Sequence, residues 1–346
     1  MEMANNLNDE ISRLAGNYGL QMNFVEKHGR VFKIYSDKGE FALKRMDANK
    51  GLDFLRHIQH LYQLGYNRIV PVYPTLDGRY AILEGNSLYY LMPWLENKER
   101  EDRYQKHNDL FRELARLHTL SVREVPVSKE DRKEHYDQTT AGWENEQEAL
   151  EGFIERSERQ SYMSPFQLLF CTYFSEIYGG YRFALNKLKE WHEATQEETK
   201  ARSVIIHGKI SNEHFLYNED GLGFFTNFEQ AGIASPIHDL LPFLARTLNT
   251  HQKQFEESVN WLNGYFRHFP FKQDEMLLFL SYLGHPGPIF RVIEKYFSTG
   301  NEKNEMKLVI QLQRQYWRMK NTEYVVMRFE DIERQKKEQS QSPPSD

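Results

Sequence analysis

A polar segment between two short apolar runs holds the residues of this chain that are best suited to chemistry. The runs, residues 204–206 and 215–217, have the composition of short buried strands, and the segment between them contains Lys209 and His214. A further strand pattern leads into Asn227. Such a layout can hold a catalytic base and metal ligands, but none of these three side chains is a carboxylate, so the central question is whether the protein is an enzyme at all.

Glu213 and Glu229 are the carboxylates near these positions that could offer oxygen ligands to a hard ion such as Mg²⁺. A solvated or salt-bridged glutamate is the commoner role of such residues. None of the 13 histidines falls in a His-x3-His spacing, and the chain has a single cysteine, so zinc is not expected either. We therefore predict no metal site, with Glu229 as the residue that would contribute if one formed.

Composition and charge set limits on the partners of this chain. A formal charge of -6 over 346 residues gives no general attraction to nucleic acid or to an anionic membrane surface. No apolar run approaches the roughly 18 residues that a membrane-spanning helix needs. The N-terminal residues lack the pattern of a secretory signal. We expect synthesis in the cytoplasm, with neither nucleic acid nor a membrane as a partner.

Two regions of different character divide the chain. Residues 1–95 combine a short helix, an antiparallel meander of strands and a second helix with apolar residues at every third position. Residues 96–335 carry helical periodicity, interrupted at 204–229, and residues 336–346 have the composition of a disordered tail. This order predicts an α+β fold with a small antiparallel-sheet N-lobe and a large helical C-lobe. Strands of the N-lobe are predicted at 22–25, 30–35, 40–46, 79–83 and 88–92.

Four short motifs, through their order and spacing, carry a resemblance to a known family. They are Phe-Ala-Leu-Lys at residues 41–44, Leu-Ala-Arg-Leu-His at 114–118, His-Gly at 207–208 and Ser-Pro-Ile-His-Asp-Leu at 235–240. On these motifs the chain resembles the two-lobed protein-kinase-like fold, and within it the superfamily of aminoglycoside and choline phosphotransferases. The resemblance extends over nearly the whole chain.

This resemblance implies a degenerate catalytic loop at residues 204–229. In active members a His-Gly-Asp loop supplies the carboxylate that accepts a proton from the acceptor hydroxyl, and an Asn and a second Asp hold Mg²⁺ against the phosphates. The matching positions here are Lys209, His214 and Asn227. An ammonium is a poor general base, and an imidazole and a neutral amide are poor ligands for Mg²⁺. No catalytic residue is expected in this loop.

The nucleotide-binding end of the fold is also reduced. The hairpin at 26–30 holds one glycine, whereas a loop that covers phosphates needs several, so that its amides can approach the anion. Lys44 matches the lysine that contacts phosphate in the family, and Phe54 stands where the glutamate partner of that lysine is expected. Lys44 is therefore either a surviving nucleotide contact or a solvated strand lysine, and we favour the second.

His207 and Asp239 match residues with a structural role in the family. By resemblance they brace the loop from inside through hydrogen bonds, and we expect the same role here. The scaffold is thus retained while the chemistry is lost.

The chain keeps the scaffold residues and lacks the expected catalytic ones. In this it resembles spore-coat proteins of the CotS type, and among them most of all the YsxE-like members. The resemblance implies synthesis in the mother-cell cytoplasm, incorporation into the spore coat, and other coat proteins as partners. We predict a non-catalytic pseudokinase without a cofactor. Two alternatives stay open: a small-molecule phosphotransferase with atypical catalytic residues, which would use ATP and Mg²⁺, and a metal-independent nucleotide-binding module.

Overall fold

The computed structural model of the protein describes residues 2–95, 97, 103–299 and 305–341. It consists of two compact units. The first is Met1–Ser121 together with Ile205–Ile233, and the second is Val122–Val204 together with Ala234–Asp346. The fold class is α+β, as predicted, with an antiparallel sheet in the N-terminal region and helices in the C-terminal part.

A five-stranded antiparallel sheet organises the first unit. Its strands are β1 (Met22–His28), β2 (Val31–Ser36), β3 (Gly39–Asp47), β4 (Ile82–Glu84) and β5 (Ser87–Pro93). They lie in the order β1-β2-β3-β5-β4. In the register of β3 and β5, Ala42 lies opposite Met92 and Lys44 lies opposite Tyr90. Because side chains alternate across a strand, these four side chains lie on the same face of the sheet.

The fourth strand begins later than the predicted residue 79. Thr75 and Arg79 close a tight turn instead, since the amide of Thr75 donates to the carbonyl of Arg79, and the amide of Arg79 donates to Thr75 Oγ1 at 3.0 Å. Gly78 within this turn has a φ of +83°, a conformation that glycine adopts without strain. The hydrogen bonds of Arg79 are therefore satisfied by the turn and not by the sheet.

Helices pack against both faces of this sheet. They are α1 (Glu2–Gly16) and α2 (Asp53–Gln63), and the third helix of the unit, α3 (Arg103–Ser121), packs on α2. On one face, Ile11 of α1 is fully buried in a cluster with Phe32 of β2. On the other face, the ring of Phe54 on α2 lies 5.7 Å from the ring of Tyr90, measured between centroids. The apolar side chains of α3 are buried as well, and Leu114 has no exposed surface.

Helices dominate the second unit. Strands β6 (Arg123–Pro126) and β7 (Lys200–Ile206) pair in an antiparallel arrangement. The helices are α4 (Lys129–Glu158), α5 (Pro165–Thr195), α6 (Ile237–Thr247), α7 (Glu256–His268), α8 (Gln273–Gly284), α9 (Gly287–Thr299) and α10 (Glu305–Gln341). Large apolar side chains of α5, α9 and α10 form its main core, with Phe166, Phe170, Ile293 and Leu312 all but inaccessible to solvent. Ser164 begins α5 with a capping box, in which its hydroxyl accepts from the amide of Gln167.

The division between the two units differs from the lobe boundary predicted at residue 95, because α3 and the segment Ile205–Ile233 belong to the first unit. The division into lobes at residue 95 stays a prediction. Helix α10 continues to Gln341, within the segment 336–346 that was predicted to be disordered, and residues 342–346 lie outside the described residues.

One helical stretch of the described chain, Gln273–Ser298, is long and apolar enough to cross a membrane by length and composition. This corrects the expectation that no apolar stretch of such length exists. Of its most apolar window, 56% is buried inside the protein, and His285 and Pro286 interrupt it between α8 and α9. The core helix of a protein that never contacts lipid passes the same test, so the stretch is weak support for a membrane partner.

The side chain of Asn321 on α10 gives a test of how the second unit is held together. It is fully buried, its amide group donates to three backbone carbonyls, and its oxygen accepts from the amide of Lys253 at 2.9 Å. The carbonyls are those of Leu248, Thr250 and His251. Buried polar groups that lose their partners cost about 1–3 kcal/mol each, so we expect Asn321→Ala to lower the free energy of unfolding by about 2–4 kcal/mol in urea denaturation.

Lys307→Ala is the matched control, because Lys307 is exposed on the same helix. A loss in Asn321→Ala no larger than in this control would contradict the role assigned to Asn321.

Candidate functional site

The polar segment predicted from the sequence forms a tight loop in the first unit. It follows β7 and continues into β8 (Phe215–Tyr217), which pairs with β9 (Gly223–Phe225). Gly208 at its start has a φ of +78°, and a Cβ atom there would lie 2.1 Å from the carbonyl oxygen of Gln230. Both its conformation and its surroundings therefore require glycine at this position.

His207 ties the two ends of this loop together. Its side chain is fully buried, its Nε2 lies 2.8 Å from the carbonyl oxygen of Thr226, and its Nδ1 accepts from the amide of Lys209 at 3.2 Å. These contacts assign the neutral tautomer with the proton on Nε2. The ring also packs on Phe228, with centroids 4.7 Å apart. This geometry is that of a bracing residue.

Asp239, the other predicted brace, lies near the start of α6 in the second unit. Its side chain is buried, with 2% of its surface exposed. Its carboxylate is close enough to the fully buried Tyr265 to act on that phenol, since burial first and Asp239 second raise the pKa of Tyr265. The structure thus assigns Asp239 to the interior of the second unit.

Lys44 is the cation at the centre of the site. Its Nζ lies 2.7 Å from Glu229 Oε1 and donates to Asn227 Oδ1 at 2.5 Å. The side chains of Lys44 and Glu229 are only 13% and 9% exposed. The favoured interpretation of Lys44 as a solvated strand lysine is therefore wrong, because its charge is shielded from water and paired.

Tyr90 completes the surroundings of this ion pair. Its hydroxyl donates to Glu229 Oε1 at 3.1 Å, and its ring lies 5.8 Å from the ammonium of Lys44. Burial, together with the nearby charge of Glu229 and this hydrogen bond, raises the pKa of Tyr90 well above its ordinary value. Phe54, at the position where a glutamate partner of Lys44 was expected, packs on Tyr90 instead. Glu229 has taken the place of that partner.

Asn227 links the ion pair to the rest of the loop. It adopts a left-handed backbone conformation with a φ of 69°, which asparagine tolerates better than most residues. While its Oδ1 accepts from Lys44, its Nδ2 donates to His214 Nε2 at 2.7 Å. Both ends of the amide are thus engaged by neighbouring side chains.

His214 ends the chain of hydrogen bonds. Since its Nε2 accepts from Asn227, its Nδ1 carries the proton and donates to the carbonyl oxygen of Lys209 at 2.7 Å. Burial lowers the pKa of His214, against the hydrogen bond to Lys209, and the charges of Lys44 and Lys209 lower it further. His214 is therefore neutral in the folded protein at pH 7.

Lys209, His214 and Asn227 are the three positions predicted by resemblance to replace catalytic residues. The side chains of His214 and Asn227 join this network, and Lys209 contributes its backbone carbonyl. The Lys209 side chain is exposed. Glu213 is exposed too, whereas the carboxylate of Glu229 is engaged by Lys44 and Tyr90. In the described part of the chain, no group of three or more His, Cys, Asp or Glu residues could hold a metal ion.

Two features of this site escaped the sequence analysis. Tyr90 is predictable from the alternation of β5, which puts it on the same sheet face as Lys44. Lys33 lies on this face as well, opposite Ala42, and its ammonium lies 4.5 Å from the ring centroid of Tyr35 and 4.9 Å from that of Trp94. Lys33 also pairs with Glu40 at 2.9 Å. The sheet face that carries Lys44 therefore holds a second cation with its own partners.

Comparisons with known proteins place this geometry in context. A family model described as "Spore coat putative kinase YutH" matches residues 11–329. None of the curated proteins matches the chain. Among solved structures, an aminoglycoside phosphotransferase from Alicyclobacillus acidocaldarius is similar, with a TM-score of 0.66, 14% identity, and coverage of 92% of this chain and 96% of that one.

A spectinomycin phosphotransferase, APH(9)-Ia, solved with AMP, is similar with a TM-score of 0.54 and 12% identity, over 92% of this chain and 97% of that one. At such identities the likeness shows the fold alone. The predicted resemblance to spore-coat proteins with a phosphotransferase-like fold is confirmed. The matching family is the YutH one, which differs from the YsxE-like members named in the sequence analysis.

The first prediction for this loop concerns Gly208. We expect Gly208→Ala to lower the free energy of unfolding by about 2 kcal/mol or more, because the left-handed conformation alone costs a non-glycine residue roughly 1–2 kcal/mol and the new methyl group overlaps the backbone at Gln230. In Gly232→Ala, the control, a Cβ atom meets nothing within 4 Å and the change should stay below about 1 kcal/mol. Equal effects in chemical denaturation would show that the loop is not held as described.

The second prediction concerns pH. The pKa of His214 is lowered in the folded state, so the unfolded state, with an ordinary value near ~6.5, binds the proton more readily. Its contribution to stability is fully present above pH ~6.5 and is lost as the pH falls through the folded pKa. We expect the wild-type protein to lose more unfolding free energy between about pH 7.5 and 5.5 than His214→Asn does.

His60→Asn is the control, because His60 is an exposed residue of the same unit. It should keep the wild-type pH dependence. If His214→Asn kept that dependence too, His214 would not be the buried neutral imidazole described here.

Proposed function

The chain belongs to the YutH family of spore-coat kinase-like proteins, and from that membership we propose that it is a non-catalytic member that serves in the assembly or structure of the spore coat. One observation carries the non-catalytic part of this proposal: the ammonium of Lys44 pairs with both Asn227 and Glu229, the side chains on which a metal ion would depend. The site's own cation satisfies them.

Electrostatics argues against a metal ion in the same place. Two unit charges about 4 Å apart repel by ~4 kcal/mol at an effective dielectric constant near 20, and the repulsion doubles for a divalent ion. Mg²⁺ would have to displace Lys44 and would find one neutral amide and one carboxylate as ligands. Mg²⁺ is bound in proteins through carboxylates and phosphates in near-octahedral geometry, so one amide and one carboxylate would bind it poorly.

The acceptor side of a phosphotransfer site is altered as well. Lys209 presents an exposed ammonium where a carboxylate would accept the proton of the attacking hydroxyl, and loss of a general base costs on the order of 10²- to 10⁴-fold in rate. His214 does not replace that base in this arrangement, because its one unprotonated nitrogen accepts a hydrogen bond from Asn227.

By this proposal the protein is made in the mother-cell cytoplasm and is then incorporated into the spore coat, where other coat proteins are its partners. The family name supports the spore-coat location. The net charge of -6 supports the expectation that nucleic acid is not a partner.

Thermal unfolding with nucleotide separates this function from the alternatives. We expect ATP, with Mg²⁺, with Mn²⁺ or with EDTA, to raise the Tm by less than about 1 °C. A ligand present at 100 times its Kd would stabilise by ~2.7 kcal/mol, or roughly 4 °C for a chain of this size. Stabilisation that requires the metal would contradict the proposal and favour an atypical phosphotransferase.

Stabilisation by ATP in EDTA, lost in Lys44→Ala, would instead establish the metal-independent nucleotide-binding module. That outcome would leave the spore-coat assignment unchanged but would contradict the prediction that the protein binds no nucleotide. Lys38→Ala is a control for non-specific loss of charge, because Lys38 is an exposed lysine of the same unit.

Restoring the lost residues tests the alignment itself. We expect the combined changes Lys209→Asp, His214→Asn and Asn227→Asp to raise the affinity for Mg²⁺ and ATP at least tenfold over the wild type, because they supply the missing carboxylates. Isothermal titration with MgATP measures this, and ATP in EDTA is the control. Unchanged affinity in a folded variant would mean that these positions do not correspond to those of the active phosphotransferases.

A further inference from the structure

A second candidate site lies in the second unit, away from the Lys44 network. A cavity of about 310 Å³ lies between α5 and α10, and Phe183, Met319, Val326 and Met327 line it with apolar surface. A smaller cavity of about 30 Å³, with room for about one water molecule, shares Met319 and other lining residues with it. The two therefore adjoin, and together they are called the α10 pocket.

The small end of the α10 pocket contains a cation without a counter-ion. Arg318 lines it, and no carboxylate whose side chain the structure describes lies within ion-pair distance of its guanidinium. Burial lowers the pKa of Arg318, and the neighbouring Arg291 lowers it further. A partly buried guanidinium stays charged at neutral pH, so an anion bound at this end of the pocket would be stabilised by its charge.

Gln315 is a second polar residue at this end of the pocket. Gln315 lines the pocket, and its side-chain oxygen is buried without a hydrogen-bond partner in the described chain. Because a carboxamide can turn to present either its N–H or its oxygen, Gln315 can donate to a ligand that reaches Arg318.

The rim of the large cavity carries an excess of one negative charge, because its three glutamates share two lysines. Its glutamates are each paired with a lysine: Glu176 and Glu323 with Lys320, and Glu330 with Lys187. Arg318 is therefore the group of the α10 pocket whose charge calls for a ligand of opposite sign. The ligand needs an anionic end and an apolar body.

Gly179 of α5 lines the large cavity on its other side. Glycine inside a helix costs roughly 0.5–1 kcal/mol relative to alanine. Gly180 beside it packs on Pro286, but a Cβ atom at Gly179 would meet nothing within 4 Å. Packing in the folded protein gives no reason for the missing side chain at Gly179, and its absence leaves space in the pocket.

We propose that the α10 pocket binds a small apolar carboxylate, with the carboxylate group on Arg318 and the hydrocarbon part against Phe183, Met319 and Val326. A guanidinium and a carboxylate form a charge-assisted, two-pronged hydrogen bond, which gives such a ligand its orientation. The site shares no residue with the loop around Lys44, so its failure and a failure of the proposed function are separate outcomes.

Octanoate is the probe, and isothermal titration calorimetry with the full chain is the measurement. We expect saturable binding of octanoate with one site, and at least tenfold weaker binding of octyltrimethylammonium, which carries the opposite charge on the same chain. Arg318→Gln should weaken octanoate binding at least tenfold. Gly179→Leu, which places a side chain into the open cavity, should abolish it.

Gly142→Leu is the matched control, because Gly142 is an exposed helical glycine on α4 with nothing within 4 Å of its Cβ position. It should bind octanoate like the wild type. Circular dichroism establishes that each variant is folded, and Gly179→Leu keeps the test decisive if Arg318→Gln fails to fold. No binding to the wild type would overturn the proposal, as would equal binding of the two charged probes or binding that survives Gly179→Leu.

Discussion

One ammonium group, that of Lys44, is the interaction on which the rest of the candidate site depends. Its charge is held where little water reaches, and a buried charge is tolerated only when it is paired and hydrogen-bonded. Glu229 supplies the opposite charge and Asn227 supplies a further acceptor. Because Asn227 in turn orients His214, the ion pair determines the state of the whole loop. Every member of this network belongs to the first unit, so the network is complete without a ligand.

The Lys44 network and the α10 pocket differ in whether their charged groups already have partners in the protein. In the first unit, the positions that would hold a metal and its nucleotide in an active phosphotransferase are satisfied by the protein's own side chains. In the second unit, Arg318 lies at the end of an apolar cavity without a counter-ion. Binding energy is therefore more readily gained at Arg318 than at Lys44, since a ligand at Lys44 must first replace contacts that already exist.

Much of the fold was predictable because short-range patterns determine it. The strands around Lys44 follow from the antiparallel meander pattern, and the buried side of α2 follows from the three-residue spacing of its apolar residues. The environment of Lys44 was not predictable, because Asn227 lies 183 residues away in the chain and burial depends on that tertiary contact. The start of β4 was missed because a side-chain hydrogen bond from Thr75 stabilises a turn. Nothing in the sequence around Arg318 distinguishes it from the other basic residues of α10.

Crystallography of the protein soaked with Mn²⁺ and a non-hydrolysable ATP analogue tests the central claim most directly, because the anomalous signal of manganese locates the ion. The account predicts no manganese peak within coordination distance of Asn227 Oδ1 or the Glu229 carboxylate, and an intact pair of Lys44 and Glu229. Manganese bound to these oxygens, with the ammonium of Lys44 displaced, would contradict it and would mean that the loop has kept a metal site.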